Sequence, residues 1–330
     1  MKANGVDRRQ KGVALLLAMI IVALVATAAA GMVWQQTRAV SIEAAERARA
    51  QGAWILNGAL DWARLILRED LRANQQRNAP YDSLDEPWAQ PLAEARLSSF
   101  LAADRDNTAD SGPDAFISGS IEDAQSRWNL RNLLDDAGKV VPVQLAALQR
   151  LCSLVGAPTD AADRIAQALS AARPGVAGAA DATGTNAAES SAPLSPVRLG
   201  DLGWQGLESA LLERLEPYVD LLPVPTPVNI NTAAREVMVA AIDGLDMGGA
   251  QRLVQARQRK AFQSLQEISN QLPGLTVEPN RASVGSSYFH VAGRLRLEER
   301  VLEERSLLVR RDNRVDVLQR EKRSFSTPAR

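Results

Sequence analysis

From Val13 to Trp34 there are 22 consecutive residues without a charge, VALLLAMIIVALVATAAAGMVW. As a helix rising about 1.5 Å per residue the run reaches roughly 33 Å, enough to cross the hydrocarbon core of a bilayer. Such a segment belongs in lipid or beside helices like itself. In front of it stand Lys2, Arg8, Arg9 and Lys11 against the single acid Asp7. That cationic excess holds the preceding end in the cytoplasm and sends the following chain across the membrane.

Three fates are open to the opening segment. The small residues ATAAAG, Ala26 to Gly31, imitate the cleavage site of a secretory signal peptide. An uncleaved anchor is the second. In the third, a cut after Gly12, at QKG|VALLL, removes the basic tail and leaves the apolar helix as the new N-terminus. Beyond the apolar run no proline occurs from Gln35 to Asn78, and Ala53, Leu56, Leu60, Ala63, Leu67 and Leu71 recur at spacings of three and four. This pattern predicts one face of a helix continuing to about Arg72, on the order of 90 Å from Val13, whose second half packs on a sheet.

The totals exclude more than they suggest. A net charge of -1 over 330 residues gives no bulk attraction to a polyanion, so nucleic acid is not an expected partner. One cysteine, Cys152, leaves no internal disulfide, cysteine zinc site or redox pair; in LQRLCSLVG it reads as a buried small hydrophobe. The only histidine, His290, alternates with Phe289 and Val291 as a residue on a strand face. No GxSxG elbow, phosphate loop or metal-ligand cluster stands out, so an enzyme is not expected and no cofactor is required.

Along the chain, NQQRNAPYDSLDEPWAQP (Asn74 to Pro91) reads as irregular and Leu92 to Ala103 as helical. In DRDNTADSGPD, Asp104, Asp106, Thr108 and Asp110 alternate like the oxygen ligands of a calcium loop, but the turn glycine and closing glutamate are missing. A solvated acidic loop is the simpler reading. Ala115 to Leu134 reads as a strand, a turn at Glu122 to Gln125, and a second strand ending in NLRNL, where Asn129 and Asn132 suit side-chain bonding to backbone. From Pro142 to about Ala282 the pattern is helical.

Two passages there align without gaps, LCSLVGAPTDAADRIAQAL and VAAIDGLDMGGAQRLVQAR, with Gly156 and Gly244, Ala162 and Ala250, and Arg164 and Arg252 in step. The repeat predicts two helix-turn-helix hairpins, with LPGL, Leu272 to Leu275, as the opening of another. A DNA-binding hairpin exposes amides through a GxG turn; here Gly244 is followed by Leu245 and Asp246, a carboxylate that repels phosphate. Arg257, Arg259 and Lys260 leave some basic character. The segment 173–196 is too poor in large apolar residues to pack and reads as a mobile loop. PVPTPV, Pro223 to Val228, reads as a stiff connector, with Asn231 or Thr232 as a helix cap. Finally Ser286 to Leu297, Val301 to Arg310 and Arg314 to Arg320 alternate apolar and charged residues around the turn RDNR, which predicts an antiparallel meander with its arginines and glutamates on the solvated face.

Short, basic and ending in glycine, the segment before Val13 resembles a type IV prepilin-like leader. Most pilin-like proteins carry glutamate at the fifth residue after the cut; here that residue is Leu17. Its absence, with NLRNL, NINTA (Asn229 to Ala233) and the final meander, resembles the K-type minor pseudopilin (GspK family) of type II secretion along almost the whole chain. Val13 departs from the phenylalanine usual at the mature start.

The resemblance implies an α+β, type IV pilin-like fold: a long N-terminal helix packed on an antiparallel sheet, with a large inserted all-α domain carrying helix-hairpin-helix-like repeats. Its parts would be a leader at 1–12, a transmembrane helix at 13–34, a periplasmic continuation at 35–73, a variable region with the first strands at 74–134, the inserted domain at 135–282 and closing strands at 283–330. It implies a single-pass inner-membrane protein with a periplasmic C-terminal domain, cut between Gly12 and Val13 by a prepilin peptidase and N-methylated on Val13. Implied partners are the I- and J-type minor pseudopilins, the H-type and major pseudopilin below them, the inner-membrane assembly platform and exoprotein cargo. The implied role is a tip complex that initiates the pseudopilus and limits its length. The competing reading is a membrane-anchored helix-hairpin-helix DNA-uptake protein or another periplasmic binding protein.

Overall fold

The computed structural model describes residues 7–76, 78, 80–97, 115–172, 194–297 and 300–326. The chain divides into two compact units, Met1–Asn57 and Gly58–Arg330. Helix α1, Asp7–Gln76, is continuous. In the first unit Val13, Leu15, Leu16, Leu17, Met19 and Ile20 all stand more than half exposed, as an apolar run does when its solvent is lipid or other helices.

The second unit is built on a five-stranded antiparallel sheet in the order β1-β2-β7-β8-β9. Its strands are β1 (Leu92–Arg96), β2 (Ala115–Asp123), β7 (Tyr288–Leu297), β8 (Arg300–Arg311) and β9 (Arg314–Ser326). The last hairpin turns at Asp312 and Asn313, both at positive φ (46° and 63°). Two left-handed residues in succession match the right-handed twist of the flanking strands, and Asp and Asn tolerate them well.

One sheet face takes the end of α1. Leu60, Ala63 and Leu67 pack with Trp88, Phe289, Val291, Leu308 and Val315, and Trp88 meets Phe289 edge-on at 5.3 Å. The apolar stripe of the helix is thus half of a two-layer core. On the other face Tyr288, Leu307 and Val309 meet Ala124 and Leu222. His290 lies on a strand face as expected, its Nε2 2.5 Å from Asp220 Oδ2.

Between β2 and its sheet neighbour β7 the chain builds a helical region around one large core. It contains α2 (Pro142–Leu154), α3 (Ala161–Ala171), α4 (Ser209–Leu215), α5 (Arg235–Ala241), α6 (Met247–Arg259) and α7 (Leu265–Asn270). Two short parallel pairs tie it together, β3 (Trp128–Asn129) with β4 (Val219–Asp220) and β5 (Val228–Asn229) with β6 (Ala282–Ser283). Both aligned passages fold as helix, left-handed glycine, helix: Gly156 has φ +68° and Gly244 φ +77°. Ala162 and Ala250 are fully buried at equivalent places, as are Ile165 and Leu253.

Several expectations need correction. LAEAR, composed of good helix formers, is strand β1 rather than the start of a helix at Leu92 to Ala103, because pairing with β2 overrides local propensity. NLRNL is a 3-10 turn at Leu130–Leu133, after a strand of only two residues. LPGL opens no further hairpin: Gly274 turns at φ +86° and the chain runs on without a helix to β6. Glu304 is not on a solvated face. It points to the side of the sheet that carries Leu308 and is 4 % exposed, with Arg320 and Lys322 each 3.4 Å away. Cross-strand cations neutralise it where solvent does not.

Candidate functional site

The asparagines singled out by the sequence act as backbone surrogates. A proline-rich connector such as Pro223 to Val228 offers carbonyls but few N–H donors, so it cannot be held by an ordinary ladder. Asn132 exchanges two hydrogen bonds with the backbone of Thr226: its Nδ2 donates to Thr226 O at 2.9 Å and its Oδ1 accepts from Thr226 N at 3.0 Å. Asn129 donates to Val224 O at 2.7 Å and accepts from Leu222 N and Arg131 N. Gln125 Nε2 takes Pro227 O at 3.0 Å. Turn capping by Asn129 is therefore present; Asn132 instead reaches across to the connector.

NINTA follows the same logic. Asn231 exchanges two bonds with Phe262, Nδ2 to O at 2.9 Å and N to Oδ1 at 2.9 Å. Neither Asn231 nor Thr232 caps α5, whose N-cap is Ala234 with no side-chain bond. Thr232 Oγ1 instead donates to Asp123 Oδ2 at 2.6 Å. Both side chains are drawn inward because the segment runs through the junction between sheet and helical region, where buried amides and carboxylates need partners.

That junction is a buried polar knot of six chain segments. Asp123, at the end of β2, accepts at Oδ2 from Thr232, from Asn229 Nδ2 at 2.9 Å and from Ser286 Oγ at 2.7 Å, and at Oδ1 from Gln125 N at 2.8 Å. Asn229 Nδ2 also reaches Asp82 O at 3.1 Å. Asp82 Oδ2 accepts from Ser286 N at 2.7 Å. Arg310, at the end of β8, donates to Asp70 Oδ2 of α1 at 2.8 Å, Asp82 Oδ1 at 2.5 Å and Ser286 O at 2.9 Å, and lies 4.7 Å from the centre of the Phe289 ring. Asn74 Nδ2 donates to Tyr81 O at 3.0 Å and also reaches Asp70 and Glu86. Glu86 Oε2 accepts from Ser83 N and from Trp88 Nε1.

Burial dominates the electrostatics. It pushes the Asp70 carboxyl up to about 7, helped by Glu86 and Asp82 and opposed by Arg310. It pushes Asp123 up to about 6 against the hydrogen bonds from Thr232 and Ser286. Sequence reasoning missed Asp70, Asp82, Asp123 and Arg310, which lie far apart in the chain and carry no local pattern.

The other expected site residues behave differently. Gly12 and Val13 are consecutive residues inside α1, and Leu17 is 59 % exposed on it. Asp104, Asp106 and Asp110 lie outside the described residues, as does 173–193 of the expected loop. Burial pushes the Cys152 thiol up to about 11, so it stays protonated and inert. Asp246 caps α6, taking Gly249 N at 2.6 Å and so occupying an amide that a phosphate would need. Arg257 turns inward to the carbonyls of Ile230 and Ala233 at 2.6 and 2.7 Å, and burial lowers it to about 10.

A membrane-length helix running into an antiparallel sheet, with a helical region inserted between adjacent strands, is the build of a pilin-like subunit. Family descriptions for type II secretion system protein K match residues 228–289 and, for its first domain, 126–224. The chain is 31 % identical over 305 residues to type II secretion system protein K of Pseudomonas aeruginosa, covering 89 % of this chain and 86 % of that protein. It is 27 % identical to that of Pectobacterium carotovorum, covering 97 % and 98 %. The fold matches a chain in the crystal structure of the GspK-GspI-GspJ complex from enterotoxigenic Escherichia coli, with a TM-score of 0.58 at 21 % identity, over 84 % of this chain and 98 % of that one. The chain belongs to the type II secretion system protein K (GspK) family, that of a minor pseudopilin.

Proposed function

We propose that the chain occupies the tip of a periplasmic pseudopilus, in complex with I- and J-type minor pseudopilins and above H-type and major subunits. It starts assembly, limits fibre length and supports export of folded proteins across the outer membrane. The observation that carries this reading is the helical region inserted between β2 and β7, with its own large core. A region of that bulk, repeated in every subunit, would obstruct regular stacking; one copy at an end does not.

Leu17 supports the same place. A carboxylate in an apolar helix is costly unless paired, and a subunit with leucine there cannot pair with a neighbour's N-terminal amine. It needs no such pairing if it enters the fibre first. The peptide bond cut by the prepilin peptidase is Gly12–Val13, with Val13 then N-methylated; residues 13–34 sit in the inner membrane, with the C-terminal domain in the periplasm. The inner-membrane assembly platform would receive it there. We assign it no catalytic role and no required cofactor. The two glycine-turned hairpins serve packing and protein contact as helix-hairpin-helix-like units, with Asp246 and Arg257 both turned to internal bonds.

The test is a deletion strain together with affinity capture of the full chain from membranes. Lost secretion, abnormal pseudopili and co-purification of I- and J-type subunits are expected. Normal secretion with normal pseudopili would overturn the proposal.

A further inference from the structure

Strand β9 is the last strand of the sheet, and the outer edge of such a strand presents backbone groups that another strand can take up. Close to the turn that edge is occupied, because Arg64 of α1 donates Nε to Val315 O at 2.9 Å. In the middle the strand bulges opposite Leu307 and Leu308, and there Gln319 Nε2 donates to Val197 O at 3.0 Å while Arg198 reaches Glu321 at 3.2 Å. Beyond the bulge, Arg320 lies directly across from Ser306 and Lys322 from Glu304, on the side of the sheet that takes the end of α1.

Glu304 is a costly residue there. Its side chain is 4 % exposed, neither oxygen has a hydrogen-bond partner among the described residues, and Arg320 Nε and Lys322 Nζ each stand 3.4 Å away. A buried ion pair of that geometry joins two strands less well than apolar residues of similar volume would. Cohesion between β8 and β9 therefore does not account for it.

We propose that Glu304, Arg320 and Lys322 guard the free edge of β9 against strand addition by a second copy of this chain. Glu304 holds both cations on one face at the edge, where their side chains are 38 % and 51 % exposed, and a strand laid beside them would strip that water. Two copies meeting edge to edge about a twofold axis normal to the sheet would form one continuous antiparallel sheet, in which residues directly opposite share a face. Registers centred on Arg320, Glu321 or Lys322 then set a cation of one copy against a cation of the other. Like charges directly opposite are destabilising, so the pairing is refused.

The experiment compares variants of the full chain in detergent micelles, with self-association read by sedimentation equilibrium and amide exchange at 320–325 as the local signal. The wild type should show no protection there that grows with concentration. The neutral triple variant Glu304→Gln, Arg320→Gln, Lys322→Gln keeps the shape and removes the charges; it should associate at least about tenfold more tightly, with protection at 320–325 rising as it does. The charge-reversed triple variant Glu304→Lys, Arg320→Glu, Lys322→Glu keeps the internal ion pairs, and decides the matter if the neutral variant does not fold. Alone it should behave as the wild type; mixed with the wild type it should form a heterodimer. A wild type already paired through β9, a folded neutral variant no more associated than the wild type, or a charge-reversed variant that ignores the wild type would each overturn the guard.

Discussion

At the scale of single residues, Asn132 and Asn231 do what strand neighbours do elsewhere, each exchanging two hydrogen bonds with one distant backbone unit. Asn231→Ala leaves Phe262 N and O without that partner in the core. At roughly 1–3 kcal/mol for each of the two buried groups left unsatisfied, the loss in equilibrium denaturation should be about 2–6 kcal/mol, against about a few tenths for Gln271→Ala in an exposed turn. Of the asparagines the sequence marks as turn or helix caps, Asn129 does cap a turn, while Asn132 and Asn231 spend their side chains on distant backbone instead. Those partners were not legible: Thr226 lies 94 residues from Asn132, and nothing in NLRNL encodes that distance. The same holds for Asp123 and Arg310, whose roles exist only after the sheet has formed.

Among the elements, those with long periodicity were legible and those decided by tertiary pairing were not. The stripe Leu60, Ala63, Leu67 places α1 on the sheet as its spacing requires, and the meander around Asp312 and Asn313 follows its alternation and turn chemistry. Strand β1 escaped because its composition favours a helix and only β2 makes it a strand. Two substitutions test the sheet. Leu67 is completely buried between helix and strands; Leu67→Ala should cost about 2–5 kcal/mol in chemical unfolding. Gly119 on β2 faces Gly293 on β7, and a Cβ there would lie 2.9 Å from the Ala292 carbonyl oxygen. Backbone on a paired strand cannot swing aside, so Gly119→Ala should destabilise by about 1–3 kcal/mol. Gly200→Ala, with open space around it, should be close to neutral.

For the whole molecule, the first unit offers an exposed apolar helix, and the second a sheet that takes the end of α1 on one face and carries a helical region between two of its paired strands. A helix of membrane length was readable from charge and length alone, because lipid imposes both. The bulk of the helical region follows from its core, 36 buried residues among the described ones, which only the fold assembles. Processing between Gly12 and Val13, proposed above, is tested most directly by the mass of the mature N-terminus from cells with and without prepilin peptidase. A methylated Val13 is expected in the first case and an unprocessed chain in the second. An intact N-terminus in both, or a cut near Gly31, would contradict it.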